Sequence, residues 1–134
     1  MGLDNGIIIK RKNNEELNIP SLVKVSDRFA DGDIELVYWR KCWGIRDCVL
    51  DILNVSREGE GSFIIEEAKE VELIIKELYK FLDSKYWIKN GDSIWDYDDE
   101  FLVPKMVQDI INLKWLQELM ESDKNIKVYF YDSY

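Results

Sequence analysis

The sequence contains no histidine, and this absence excludes more chemistry than any other feature of it. Histidine is the commonest general base and the commonest metal ligand near neutral pH. A Ser-His-Asp or Cys-His nucleophile is therefore out of reach. Cysteine is scarce: Cys42 and Cys48 stand alone, with no paired-Cys zinc spacing. On one helix their separation would put them on nearly opposite faces, about 9 Å apart along the axis. A disulfide needs Cα atoms within about 7 Å, so two free thiols in a reducing compartment are expected. Missing as well are a Walker loop, a Gly-x-Gly-x-x-Gly turn and a nucleophile elbow. No run of about 18 apolar residues suggests a membrane span. The opening Met1-Gly2-Leu3-Asp4-Asn5-Gly6 lacks the basic and apolar regions of a signal peptide, and Gly6 stands where myristoylation needs Ser or Thr. These absences predict a cytoplasmic protein without catalytic residues, bound metal, cofactor or membrane partner.

What is present points to one folded domain spanning residues 1–134, with 46% hydrophobic residues to build a core. Aromatics reach 13%, including five tryptophans, more than a chain this short buries completely. Some are expected on a pocket wall or an interface. The formal net charge of −9 argues against generic nucleic-acid binding, which needs basic residues along the phosphate backbone. That charge is uneven. Residues 1–48 carry eight basic and eight acidic side chains, and the whole excess lies in residues 49–134. An anionic ligand is better tolerated by the first part.

Patterning along the chain predicts an α+β fold, with three main helices packed on a small, mostly antiparallel sheet. Gly6-Ile7-Ile8-Ile9-Lys10-Arg11-Lys12 reads as a strand covered on both faces at its centre. Residues 13–34 read as a long loop with a short extended piece around Leu22–Val25. From Glu35 to Leu53 the spacing predicts a helix, with Tyr38, Cys42, Ile45, Val49 and Ile52 on one stripe and Trp39, Trp43, Arg46 and Leu50 on the next. Ser62–Ile65 reads as a short strand or as the lead-in to a second helix. That helix has Ile64, Ala68, Val71, Ile75, Leu78 and Leu82 on its apolar face, an i,i+4 pair of Glu72 and Lys76, and an end near Asp83. Tyr86–Ile88 and Ser93–Trp95 flank an Asn90-Gly91 turn signal as two short strands. A third helix spans 102–121, with Pro104 in its first turn and Val103, Met106, Ile110, Leu113 and Met120 as its core stripe. Residues 126–131 form a terminal strand. Surplus aromatics and a terminal strand with an open edge predict self-association into a homo-oligomer.

The segment Tyr38-Trp39-Arg40-Lys41-Cys42-Trp43-Gly44-Ile45-Arg46 concentrates three aromatics and three cations. An aromatic plane stacks on a base, and an arginine fork binds phosphate oxygens bidentately. Tyr38, Trp39, Arg40, Lys41, Trp43 and Arg46 are therefore the candidate ligand-binding residues, for an anionic, nucleotide-like small molecule. Lys10, Arg11, Lys12 and Arg28 would extend the basic patch. The competing reading buries both aromatic stripes and spends the cations on ion pairs to residues such as Asp47 and Asp51. A second cluster, Asp92, Asp96, Asp98, Asp99 and Glu100, reads as a solvated acidic loop capping the next helix, as a divalent-metal or catalytic site, or as a contact for a basic protein.

The opening Met1-Gly2-Leu3-Asp4, the Tyr38-Trp39-Arg40-Lys41 motif, the amphipathic second helix and the tail Val128-Tyr129-Phe130-Tyr131-Asp132-Ser133-Tyr134 resemble a family of small proteins of bacteriophages, prophages and bacteria. Many relatives continue the Trp-Arg-Lys motif with a small residue, an Asn and later a His. Here Cys42, Trp43 and Arg46 occupy those places, and Arg46 can replace the charge of a His but not its acid–base chemistry. The resemblance brings no assigned activity. It implies a setting of phage–host conflict, in the host cytoplasm. There small phage proteins sequester nucleotide immune signals, such as cyclic ADP-ribose derivatives or cyclic dinucleotides, or block a defence protein directly. The sequence thus supports a non-enzymatic sequestering protein first. An acidic protein–protein inhibitor comes second, and a divalent-metal enzyme using Asp92, Asp96, Asp98 and Asp99 third.

Overall fold

The computed structural model describes residues 4–10, 17–26, 33–40, 42–58, 61–84, 99–123 and 125–133. Among these residues seven elements follow in order: β1 (Asp4–Lys10), β2 (Ile34–Arg40), α1 (Trp43–Leu53), β3 (Gly61–Ile65), α2 (Ala68–Ser84), α3 (Asp99–Ser122) and β4 (Lys127–Ser133). The strands form one sheet in the order β2-β1-β4-β3, antiparallel at every pairing. The expected α+β architecture of three helices on an antiparallel sheet is what the chain adopts. The terminal strand sits inside the sheet, and the edges are β2 and β3.

β-branched and aromatic residues make the strands, and their alternation divides the sheet into two faces. Ile7, Ile9, Val37, Trp39, Ile65, Val128 and Phe130 join the core with the buried residues of the helices. Cross-strand register puts Gly6, Ile8, Tyr38, Tyr129 and Tyr131 on the opposite face. The two central strands bury the Ile7-Ile8-Ile9 run on both faces, as its unbroken apolar character predicts. α2 packs against both α1 and α3, and α3 also reaches β2.

The predicted helix over 35–53 is two elements. Ile34–Arg40 is strand, and helix begins only at Trp43. Register between β1 and β2 slips at Ile7/Ile8, where Leu36 has no partner of its own, so Leu36 and Val37 are both buried beside each other. This bulge breaks the period of two that would have marked the strand. α1 ends at Asn54, which takes the left-handed conformation (φ 59°, ψ 42°) and donates its N–H to the Asp51 carbonyl. Ser62–Ile65 is strand, so Ile64 does not belong to the apolar face of α2 and is exposed on β3. At the start of α2, Glu70 accepts hydrogen bonds from the backbone N–H groups of Glu66 and Glu67, the reach-back of a capping box. Glu72 and Lys76 pair at 3.4 Å as expected. In α3 Met106, Ile110, Leu113 and Met120 are buried together with Leu116, while Val103 is exposed rather than core. The strands expected at 86–88 and 93–95 lie outside the described residues.

Candidate functional site

β2, α3 and the short segment Lys24–Ser26 enclose a groove of about 600 Å³. The segment is fixed at two points. Ser26 and Glu35 exchange backbone hydrogen bonds, at 3.0 and 2.7 Å, which adds one bridge outside β2. Asn112 then treats Lys24 as a neighbouring strand would. Its Oδ1 accepts the Lys24 N–H at 3.1 Å, and its Nδ2 donates to the Lys24 carbonyl at 2.8 Å and to the Leu36 carbonyl at 2.7 Å. Gln108 donates to the Leu22 carbonyl at 2.9 Å and to Asn112 Oδ1 at 2.8 Å. The wall is therefore a hydrogen-bonded clasp rather than a loose loop.

The lining of the groove is mostly apolar, and most of its polar side chains come from α3. Lys105, Gln108, Asp109 and Asn112 recur at spacings of three and four, so they share one helical stripe that faces β2. Asp109 is buried. Its Oδ2 accepts hydrogen bonds from Trp39 Nε1 at 3.0 Å and Lys105 Nζ at 2.8 Å. Burial pushes the Asp109 carboxyl above the usual range, against the opposing pull of the Lys105 charge and of both donors. The charges are layered. Glu35 and Asp109 lie under the surface, with Glu35 accepting from Tyr131 Oη at 2.5 Å. Lys24 is exposed and Lys105 half-buried, so the cations stand nearer the mouth.

The six sequence-predicted site residues do not share a helix face, because the first three are on β2. Trp39 is only 1% exposed, which leaves no ring face for a ligand to stack on. Tyr38 points to the other side of the sheet, donates to Asp4 Oδ1 at 2.5 Å, and still lines the groove. Arg40 is exposed at the end of β2. Lys41 and the side chain of Trp43 lie outside the described residues, as do Arg11, Lys12 and Arg28. Lys10, at the end of β1, sits over the Tyr129 ring at 4.9 Å.

Arg46 is buried beneath α1. Its Nε donates to Asp132 Oδ2 at 2.9 Å, one terminal nitrogen donates to Asp47 Oδ1 at 3.1 Å, and the other to the Arg57 carbonyl. The ion-pair reading expected for this residue thus holds, inside the protein rather than on its surface. Asn5 lies between Trp39 and Asp132 in the register, fully buried, and neither end of its amide finds a partner.

Lys24, Lys105, Gln108, Asp109 and Asn112 were not singled out in the sequence. The signal was present: polar residues at helical spacing between the apolar Met106, Ile110 and Leu113. Among the described residues no three His, Cys, Asp or Glu side chains converge as metal ligands would. The acidic side chains from Asp92 to Glu100 lie outside them. Among the described residues, too, no helix is long and apolar enough to cross a membrane. No protein-family model, curated protein or solved structure matches the chain.

Proposed function

We propose that this protein is a non-enzymatic binder of a small anionic, nucleotide-like ligand, and that the ligand sits in the groove between β2 and α3. The observation that carries this reading is the layered charge of that groove. Its volume of about 600 Å³ suits a mononucleotide or a compact cyclic nucleotide. Lys24 and Lys105 stand nearer its mouth, where an anion would enter, and the carboxylates of Glu35 and Asp109 are withdrawn and hydrogen-bonded. A lysine ammonium bound to one carboxylate keeps two further donors for a phosphate. Of the described side chains of the predicted motif, Tyr38 lines this space. With the resemblance to small phage proteins, the reading becomes a phage-encoded protein that sequesters a host nucleotide signal of the cyclic ADP-ribose or cyclic dinucleotide type.

Native mass spectrometry on the protein with a panel of cyclic dinucleotides, ADP-ribose derivatives and NAD tests it. A ligand retained unmodified, and lost in Lys24→Glu, is the expected result. Among the described residues the Lys24 side chain donates to the nearby Ser21 carbonyl, while the clasp with Asn112 uses Lys24 backbone atoms, so this substitution leaves the wall intact. A ligand converted to a new mass would replace the reading with an enzyme. No retention at all would hand the lead to an acidic protein–protein inhibitor, which the net charge of −9 favours.

A further inference from the structure

The groove distinguishes the two ends of a ligand. Lys24 and Lys105 are its more exposed charges, and two buried carboxylates line it, Glu35, which accepts from Tyr131, and Asp109, which α3 supplies. Asp109 is held at one oxygen. Trp39 Nε1 and Lys105 Nζ both donate to Oδ2, and among the described residues no hydrogen bond is given to Oδ1. An ionised carboxylate only accepts hydrogen bonds. Asp109 therefore offers an acceptor and rejects another acceptor placed against it.

Resting on the binding reading above, we propose that Asp109 reads the base of the ligand through Oδ1 and selects a guanine-type nucleotide over an adenine-type one. Guanine presents adjacent N1–H and N2–H donors on its Watson–Crick edge. Adenine presents an unprotonated N1 there, an acceptor that would face the carboxylate without a proton between them. A site with a fixed polar group discriminates strongly against a partner that leaves that group unpaired. Trp39 is a positioning residue in this scheme. It is out of the ligand's reach at 1% exposure, and its N–H takes up Oδ2.

This arrangement makes the Asp109→Asn variant informative. Trp39 and Lys105 are both donors, so they hold the amide oxygen of the substituted side chain where Oδ2 was. The amide N–H₂ must then turn toward the groove. The acceptor becomes a donor, which opposes guanine N1–H and suits adenine N1.

Isothermal titration with 5′-GMP and 5′-AMP, on the wild type, Asp109→Asn and Lys24→Glu, tests the proposal. Both ligands carry the same phosphate, so their difference reports the base alone. Expected is a preference for GMP of at least about tenfold in the wild type, inverted in Asp109→Asn. Gained AMP binding cannot come from a misfolded protein. A GMP preference that survives Asp109→Asn overturns the role of Asp109. Equal binding of GMP and AMP in the wild type, with both weakened in Lys24→Glu, overturns base reading and leaves phosphate binding standing. Binding of neither nucleotide overturns the inference together with the reading it rests on.

Discussion

Arg46 carries a full charge into a region nearly sealed from water, with its side chain 4% exposed and that of its partner Asp132 fully buried. Burying two charges costs several kcal/mol of lost hydration, which only close pairing and further hydrogen bonds offset. Arg46 spreads its donors over Asp132, Asp47 and the Arg57 carbonyl, so it ties α1 to β4 and to the turn that follows α1. Arg46→Ala should therefore cost about 3–5 kcal/mol in urea unfolding, mostly from the loss of this buried ion pair to Asp132. The double variant Arg46→Met with Asp132→Leu should recover most of that loss. An Arg46 that served a ligand would behave otherwise, with binding lost and stability kept.

Cys48 is half-buried beside Glu77, and burial, followed by the charges of Glu77, Asp51 and Asp47, pushes its thiol from 9.0 up to about 11. The thiolate is the nucleophile, so at pH 8 Cys48 should alkylate with iodoacetamide about a hundredfold more slowly than an ordinary cysteine. Peptide mass spectrometry separates it from Cys42. Linkage fixes the sign of its effect on stability. The folded state holds the proton more tightly than the unfolded one, so the contribution of Cys48 is complete below the ordinary thiol range and is lost as pH rises toward about 11. A rate matching free cysteine would mean that the thiol is not shielded as described.

Among the elements, the pairing of β1 with β2 depends on one residue without a side chain. A Cβ on Gly6 would stand 2.2 Å from the Val37 carbonyl oxygen and 3.0 Å from the Tyr131 ring. The first neighbour is backbone in a paired strand, so no rotamer change relieves it. Gly6→Ala should lower stability by at least the roughly 1–3 kcal/mol of ordinary overpacking. Loss of amide-exchange protection in β1 and β2 ahead of the α2–α3 pair would locate the damage. A neutral substitution would mean that the two strands are not so closely apposed. The same element pair shows where sequence reading stops. Helix α2, with one wet face and one dry, was legible apart from its start, which Ile64 placed four residues early, and β1 and β4 were legible to within two residues. β2 was not, because it is covered on nearly every side and bulged at Leu36, so its apolar residues keep no period of two. Their chance spacing of three and four with Cys42, Ile45 and Val49 imitated a helix. The motif around Trp39 was then read on the wrong scaffold. Its tryptophan donates to Asp109, a contact between residues 70 positions apart that no local pattern announces.

For the molecule as a whole, the charge distribution sets two responses to salt that oppose each other. The net charge of −9 comes from residues 49–134, and self-repulsion of this kind weakens a compact state. Exposed carboxylates such as Asp51 and Glu72 already hold lowered pKa values through the hydrogen bond from Arg57 and the charge of Lys69, respectively, but these pairs lie in solvent and contribute little. Raising NaCl from about 10 mM to about 150 mM shortens the Debye length from roughly 30 Å to roughly 8 Å. The unliganded protein should then melt at a higher temperature, because the excess acidic charge is screened. Nucleotide affinity should fall over the same range, because Lys24 and Lys105 attract phosphate from an accessible position. Paired thermal melts and titrations at the two salt concentrations measure both. A melting temperature that rises while affinity stays constant would separate the ligand from the lysines and place its recognition on the neutral part of the groove. A melting temperature that falls would show that favourable ion pairs outweigh the net repulsion.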